Sequence, residues 1–240
     1  MIRRDAHRSG GSPRGAGCGE GVAGLGAPRL TLLRGVVLCG GRSRRMGTDK
    51  ALLVGPDGRT LLERALATVE ASGACAALAC GAAARYDDHL GGTRGRVLDR
   101  FGADAGPLGA LASALDASVL DASAPDAPAW TLTLPVDMPG VGPELLDRLW
   151  RRAAEADADL CLARGPRGIE PLLGAFGPRC GAVARELLAQ GERRPVALTD
   201  PRHGLRAVEL ELGGAEAERQ LQNLNHPADW ERATLGSEAP

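Results

Sequence analysis

Short apolar segments alternate with helix-like segments along most of the chain, and this alternation constrains the fold more than any other feature. The apolar runs cover 35–39, 75–80, 96–98, 130–134 and 159–163. The helix-like segments cover 60–72, 107–117 and 143–154. Strands that alternate with helices are typical of βαβ units, in which a mostly parallel sheet carries helices on both faces. The sequence therefore predicts an α/β fold built as a three-layer αβα sandwich.

The first predicted helix carries its own start and stop signals. Thr60 precedes the apolar positions, and Glu63 follows it three residues later, which is the spacing of a capping box. Gly73 lies directly after the last apolar position, where a helix commonly ends. These signals support a helix over 60–72.

The first 33 residues differ in composition from the rest of the chain. They are rich in glycine and poor in large apolar side chains, so they cannot bury enough surface to offset the entropy of ordering. We predict a flexible tail over 1–33 and one domain over 34–235. Gly19, Gly21 and Gly24 match GxGxxG, but neither a strand nor an amphipathic helix flanks them, so the match does not indicate a dinucleotide site.

Charge, hydropathy and cysteine spacing exclude several classes of partner. The 29 basic and 30 acidic residues nearly cancel, so no overall field attracts nucleic acid or an anionic membrane. No segment approaches the roughly 20 apolar residues of a membrane span, and no apolar signal-peptide core is present. Six cysteines without a CxxC pair indicate neither a zinc ribbon nor a disulfide framework. We expect a cytoplasmic protein with a small-molecule partner.

A glycine- and arginine-rich segment follows the first predicted strand. It reads GVVLCGGRSRRMGTDKALL and begins at Gly35. Gly40 and Gly41 allow a close approach of the backbone, and their amides can bind oxyanions. Ligands of open parallel sheets bind beyond the carboxyl ends of the strands, which is where this loop is predicted to lie. The nearby cations of the loop are Arg42, Arg44 and Arg45.

Lys50 is the only lysine in a chain that otherwise uses arginine for positive charge. Its ammonium is compact and mobile, whereas the guanidinium of arginine is a rigid fork. A position that needed charge only should have accepted arginine in this composition. We therefore predict that Lys50 contacts a phosphate whose charge changes during a reaction, the alternative being a basic loop exposed to solvent.

Asp137 follows the apolar run 130–134 and precedes Met138 and Pro139. This position places a carboxylate at the carboxyl end of a predicted strand, facing the same crevice as the glycine-rich loop. One carboxylate together with nucleotide phosphates suits Mg²⁺, which shares its coordination shell with substrate and water. Asp137 is the predicted metal ligand.

The ordered string L-C-G-G-x-S-x-R-M-G-x-D-K, from Leu38 to Lys50, resembles the signature of the MobA-like nucleotidyltransferases. That signature is usually written L-A-G-G-x-S-x-R-M-G-x-D-K, and the match is closest to the molybdenum cofactor guanylyltransferases. Cys39 takes the place of the usual alanine. The resemblance extends to about Trp230 through VLDRFGADAGPLGAL, LTLPVDMPGV, GERRPVAL and NLNHPADW. His226 and Ala228 depart from the usual form of the last motif, N-x-N-T-P-E-D.

The resemblance implies a Rossmann-like fold of the nucleotidyltransferase type and a set of site residues. Catalysis is assigned to Lys50, Arg45 and Asp137, and metal binding to Asp137. The implied nucleotide-binding residues are Leu38, Cys39, Gly40, Gly41, Lys50, Asp99 and Asp137. For Asp99, a capping or turn role is the alternative. A substrate-positioning role is assigned to Asn223 and Asn225, the only asparagines of the chain.

The reaction implied by the resemblance is transfer of GMP from GTP to molybdopterin with Mg²⁺ as cofactor and pyrophosphate as product. Transient contact with molybdoenzymes or other cofactor-biosynthesis proteins is also implied. Two departures leave alternatives open. The family's nucleotide-contacting asparagine is missing from 79–82, and Glu170 precedes Pro171 in GIEPLLGAF where the family often has histidine. The alternatives are a cytidylyltransferase acting on molybdopterin or another small phosphate acceptor, and a non-catalytic nucleotide- or cofactor-binding protein.

Overall fold

Seven strands form one sheet in the computed structural model, which describes residues 33–39, 49–81, 85–90, 95–116, 130–224 and 229. The strands are β1 (Leu33–Leu38), β2 (Cys75–Ala79), β3 (Gly95–Val97), β4 (Trp130–Pro135), β5 (Leu160–Gly165), β6 (Gly168–Phe176) and β7 (Ala207–Glu211). The helices are α1 (Leu61–Ala71), α2 (Asp87–Leu90), α3 (Gly106–Leu115), α4 (Pro143–Glu155), α5 (Cys180–Ala189) and α6 (Gly214–Gln220).

The strand order in the sheet is β3-β2-β1-β4-β6-β5-β7. β1 lies between β2 and β4 and is parallel to both, and β3 continues the parallel arrangement beside β2. β6 runs antiparallel to β4 and β5, whereas β7 is parallel to β5. The predicted Rossmann-like α/β fold with a mostly parallel sheet is confirmed. The antiparallel β6 was not predicted as a strand.

Two helical layers cover the two faces of the sheet. Leucines of α1 and α4 share one buried cluster with Val37 of β1, and leucines of α3 pack with α5 in a second cluster. Val36 and Leu38 point away from Val37, toward Ala114 of α3, as the period of two in a strand requires. The sheet is therefore the middle layer of an αβα sandwich.

The start of α1 has the predicted capping box. The Thr60 hydroxyl accepts a hydrogen bond from the Glu63 amide at 3.1 Å, and the Glu63 carboxylate accepts one from the Thr60 amide at 2.8 Å. Gly73 follows the helix with a φ of +81°, a conformation that glycine adopts without strain. Both signals were correctly identified in the sequence.

The first described residue, Leu33, is already part of β1. The predicted tail had included this residue, and the rest of the tail, 1–32, lies outside the described residues, so its predicted flexibility stays a prediction. Within the described part of the chain, no helix has the length and apolar character of a membrane span. The five described cysteines are free thiols.

Candidate active site

The carboxyl ends of β1 to β4 meet at one edge of the sheet, because these four strands are parallel. Hydrogen bonds continue the sheet past the strand ends: Cys39 N donates to Ala79 O at 2.8 Å, and Val136 N donates to Leu38 O at 3.1 Å. Asp99 N donates to Gly81 O at 3.2 Å. The two aspartates predicted for the site, Asp99 after β3 and Asp137 after β4, therefore lie at the same edge.

The structure brings together Lys50 and Asp137, the predicted phosphate contact and the predicted metal ligand. Lys50 Nζ lies 3.5 Å from Asp137 Oδ2, although the residues are 87 positions apart in the chain. Their side chains are 16% and 27% exposed, so the pair is partly shielded from solvent and still reachable by a ligand. Lys50 is the first residue of a 3₁₀ turn, Lys50–Leu52, which Asp49 caps.

Several predicted site residues cannot be placed. Gly40, Gly41, Arg45 and Asn225 lie outside the described residues, and their assigned roles stay predictions. Leu38 and Cys39, by contrast, are described, and each is only 6% exposed. The two side chains pack on opposite faces of the sheet. Any contact they make with a nucleotide would therefore use the backbone.

Asp99 occupies the turn that connects β3 to α3. Its Oδ1 accepts a hydrogen bond from the Phe101 amide at 2.9 Å, which is an Asx-turn contact. The hydroxyl of Ser113 in α3 lies 3.4 Å from the same oxygen and accepts a bond from the Arg100 amide at 3.1 Å. Asp99 thus has the turn role that the sequence left open as an alternative, and its nucleotide role stays a prediction.

The late motif around Asn223 reaches the same edge of the sheet. The amide of Leu224 donates to the backbone carbonyl of Asp137 at 2.9 Å. The Asn223 side chain lies near the carboxyl of Glu170, the residue that departs from the family pattern, and favours the ionised form of that carboxyl. Because β6 is antiparallel to β4, the first half of β6 lies beside the carboxyl end of β4. The Thr133 hydroxyl of β4 donates a hydrogen bond to the carbonyl of Leu172 in β6 at 2.8 Å. Glu170 is therefore a neighbour of the predicted metal ligand.

The carboxyl of Glu170 is half-buried and faces other charges. Burial raises its pKa above the ordinary value, and the negative charge of Asp137 acts in the same direction. The Asn223 side chain and the charge of Arg167 oppose this rise without cancelling it. Glu170 consequently takes up a proton more readily than a solvent-exposed glutamate.

A cavity of about 340 Å³ adjoins Glu170. Its walls come from the turn between β5 and β6 and from α6 with the residues after it. Arg167 fixes one wall to the other, since its guanidinium donates to the carbonyl of Leu221 at 2.8 Å. α6 (GAEAERQ) was not predicted from the sequence, because it has a single buried side chain, Ala217, and hence no clear apolar periodicity.

The GERRPVAL motif has a structural role in the described residues. The guanidinium of Arg193 donates to the carbonyls of Asp104, Leu188 and Glu192 at 2.9, 3.1 and 2.8 Å. The carbonyl of Arg193 accepts a hydrogen bond from the Leu108 amide at 3.1 Å. The motif therefore joins the end of α5 to the start of α3, next to the turn that Asp99 shapes.

One group of side chains at the site was missed by the sequence reasoning. Tyr86 and Arg85 both contact Asp49, the aspartate that immediately precedes Lys50. A signal was present, since Tyr86 is the only tyrosine in the chain. It could not be interpreted without the fold, because Tyr86 lies 36 positions from Lys50 in sequence.

The side chains at this edge suit an ion such as Mg²⁺, which shares its ligands between protein, substrate and water, better than an ion that needs several protein ligands. Among the described residues, no group of three or more His, Cys, Asp or Glu side chains could form a metal site. Asp137 nevertheless offers a partly exposed carboxylate. Mg²⁺ is commonly bound by one or two carboxylates together with substrate phosphates and water. Asp137 is therefore the residue that would hold the ion.

Comparison with known proteins agrees with this geometry. The family model described as the MobA-like NTP transferase domain matches residues 35–205. The chain is 31% identical over 202 residues to a probable molybdenum cofactor guanylyltransferase of Methanothermobacter thermautotrophicus, covering 80% of this chain and 94% of that protein. It is 32% identical over 213 residues to the molybdenum cofactor guanylyltransferase of Xanthomonas euvesicatoria, covering 86% of each.

A solved structure shares the fold at lower sequence identity. The molybdopterin-guanine dinucleotide biosynthesis protein A of Archaeoglobus fulgidus matches with a TM-score of 0.63 and 21% identity, over 86% of this chain and 100% of that one. The family model spans more than half of the chain, and the curated relatives span most of it. This chain therefore belongs to the MobA-like NTP transferase family, and it is a nucleotidyltransferase.

Proposed function

We propose that this enzyme transfers GMP from GTP to molybdopterin, releasing pyrophosphate and forming the molybdopterin guanine dinucleotide cofactor. The observation that carries the proposal is the Lys50–Asp137 pair, 3.5 Å apart at the carboxyl edge of the parallel strands. The names of the relatives support the choice of nucleotide and acceptor. Family membership favours this enzymatic role over the alternative of a non-catalytic binding protein.

The proposed chemistry needs no covalent enzyme intermediate. The terminal phosphate of the acceptor attacks the α-phosphate of GTP in line, and pyrophosphate leaves. Such a reaction depends on positioning and on neutralising phosphate charge. Lys50 supplies a mobile positive charge beside the phosphates, and Asp137 would hold Mg²⁺, whose charge would help to neutralise their oxygens. The amides of Gly40 and Gly41 and the guanidinium of Arg45 are assigned to the same phosphates.

The acceptor is proposed to bind on the β6 side of Asp137. Asn223, Glu170 and the cavity of about 340 Å³ lie there, whereas the loop that precedes Lys50 leaves the sheet at β1. This arrangement would place the attacking phosphate and the nucleotide on either side of Asp137. Asn225 is assigned to the acceptor together with Asn223. The cytoplasmic location and transient contacts with molybdoenzymes or other cofactor-biosynthesis proteins remain part of the proposal.

A cytidylyltransferase acting on the same acceptor is the second candidate. The observation that favours it lies at the end of β2, where Cys80 is 1% exposed and Gly81 has no side chain. Neither position offers a side-chain amide that could recognise guanine. The preference for GTP therefore rests on the relatives rather than on a base-binding side chain.

Two comparisons test the proposal. One compares GTP with CTP as the substrate, and the other compares the parent protein with a variant of Asp137. The protein is incubated with Mg²⁺, molybdopterin and either GTP or CTP, and pyrophosphate release is measured. We expect GTP to be the better substrate, and we expect Asp137→Asn to reduce turnover by at least about 100-fold, since it keeps the shape but removes the anion that holds the metal.

Asp147→Asn is the matched control. Asp147 is an exposed carboxylate in α4 that pairs with Arg151, so its loss should leave turnover unchanged. Preferential use of CTP would establish the second candidate. Near-normal turnover of a folded Asp137→Asn variant would mean that the metal binds elsewhere.

A further inference from the structure

Asp49 is held by side chains from a distant part of the chain. The Tyr86 hydroxyl donates to Asp49 Oδ2 at 2.5 Å, and Arg85 Nη1 lies 3.7 Å from the same oxygen. The other carboxylate oxygen, Oδ1, accepts a hydrogen bond from the Ala51 amide at 3.1 Å. Asp49 therefore joins the segment before α2 to the turn that begins with Lys50.

Tyr86 adopts a costly backbone conformation to make this contact. Its φ is +66°, and a bulky residue with positive φ is uncommon and strained. Contacts on several sides hold it there: its ring packs against the core cluster below β1 and α1, and the Arg85 guanidinium lies 5.3 Å from the ring centroid. The Cys39 thiol, which follows β1, lies near the Tyr86 side chain, whose influence lowers the thiol pKa against the larger rise caused by burial.

Tyr86 and Lys50 are linked through the carboxylate of Asp49. Asp49 caps the 3₁₀ turn whose first residue is Lys50, so the position of Asp49 sets the direction in which the Lys50 side chain leaves the backbone. That side chain must reach Asp137 across the crevice. The Tyr86 hydroxyl is connected to this turn through its bond to Asp49.

We infer that Tyr86 is a positioning residue: its hydroxyl holds Asp49 and thereby fixes the turn that presents the Lys50 ammonium to Asp137. Phenylalanine at position 86 would keep the ring and its packing but release Asp49, so Lys50 would sample more conformations and meet the phosphates less often. The kinetic part of this inference rests on the proposed nucleotidyl transfer, but the structural part does not.

The composition of the chain allows a test that needs no activity. Because Lys50 is the only lysine, protein grown with [ε-¹³C]lysine gives one side-chain NMR signal, which reports the surroundings of its ammonium. Asp137→Asn provides the reference position for a Lys50 ammonium that no longer faces the Asp137 carboxylate. We expect Tyr86→Phe to move the signal most of the way from the parent position toward that reference.

His89→Gln is the control for a general disturbance of this region. His89 lies three residues after Tyr86, in α2, and its ring contacts the Glu63 carboxylate at 3.3 Å. We expect its substitution to leave the lysine signal in place. A Tyr86→Phe signal that stays at the parent position, or one that moves equally in His89→Gln, would overturn the inference.

Turnover provides the second measurement. We expect Tyr86→Phe to lower kcat about 10-fold, equivalent to about 1.4 kcal/mol of transition-state stabilisation, with a smaller change in KM and an unchanged melting temperature. Asp49→Asn should cause a similar loss, and the double variant should lose little more, because both changes break the same bond. Additive losses would count against the inference. If the parent turns over neither GTP nor CTP, the proposed function fails, while the lysine signal still decides the role of Tyr86.

Discussion

At the scale of single residues, the space around Lys50 explains why a lysine is retained there. Its ammonium lies 3.5 Å from Asp137, and its side chain is 16% exposed, so a compact cation is accommodated between the turn and β4. A guanidinium is larger and planar and spreads its charge over three nitrogens, so it would not place one compact charge at the same point beside Asp137. We predict that Lys50→Arg lowers turnover at least 10-fold, or about 1.4 kcal/mol, as measured by steady-state pyrophosphate release.

Arg151→Lys serves as the control for this exchange of cations. Arg151 pairs with Asp147 on the exposed surface of α4, so the reverse exchange there should change neither turnover nor stability. If Lys50→Arg turned over like the parent, the phosphate contact would have to be reassigned to the arginines of the loop, Arg42, Arg44 or Arg45.

Glu170 makes stability depend on pH. Its pKa is raised in the folded protein, so the folded chain keeps this proton at pH values where the unfolded chain has released it. Protonated Glu170 therefore makes its full contribution to the free energy of unfolding below the unfolded pKa of about 4.5. That contribution is lost as the pH rises through the pKa of the folded protein. Glu170→Gln cannot ionise and should therefore gain stability over the parent as pH rises from 4 to 7.

The expected gain is small because the carboxyl is only half-buried and solvent screens it. We predict a rise in melting temperature of about 2 °C at pH 7 and none at pH 4. Glu155→Gln, at the exposed end of α4, should show no such dependence. A constant difference between Glu170→Gln and the parent at all pH values would mean that the ionisation of Glu170 does not contribute.

At the scale of secondary-structure elements, α1 packs unusually close to β1 because Gly35 has no side chain. A Cβ at this position would lie 2.0 Å from Val69 Cγ1 and 3.2 Å from Ala74 Cβ, and both neighbours are buried. Overpacking of this kind typically costs about 1–3 kcal/mol. We predict that Gly35→Ala lowers the unfolding free energy by about 2 kcal/mol, measured by denaturant unfolding.

Gly95→Ala is the matched control within another strand. A Cβ at Gly95 would meet Ala77 Cβ at 3.4 Å, an ordinary contact, so this substitution should change stability by less than about 0.5 kcal/mol. Equal losses in the two variants would show that strand propensity, rather than the contact with α1, determines the cost.

The elements also show which parts of the fold could be predicted from the sequence. β1, α1, β2, β3, α3, β4 and α4 were predicted because their apolar residues form clear runs or periods, and α1 carries its cap in Thr60 and Glu63, whereas the short helix α2 was not predicted. β6 was not predicted because only the second half of GIEPLLGAF is buried. The contact between Tyr86 and Asp49 could not be predicted either, since it depends on a positive φ and on a neighbour distant in sequence.

At the scale of the whole molecule, one sheet connects both halves of the site. The proposed nucleotide loop follows β1 in sequence, the proposed metal ligand Asp137 follows β4, and the proposed acceptor side lies at β6, and these three strands are neighbours in the sheet. β1 pairs with β2 on one side and β4 on the other. Loss of β1 would therefore remove an interior strand and the proposed nucleotide loop that follows it.

The interior position of β1, which pairs on both sides, defines how much of the chain the enzyme needs. Leu33 pairs with Trp130, and Val36 is fully buried, so shortening the chain past residue 33 should abolish folding. Residues 1–32 include eight glycines and lack the apolar pattern of a core segment. We predict that a protein starting at Thr31 keeps the melting temperature and turnover of the full chain, whereas one starting at Val37 is recovered only in aggregated form. A several-fold loss of turnover in the first variant would place part of the functional domain within residues 1–30.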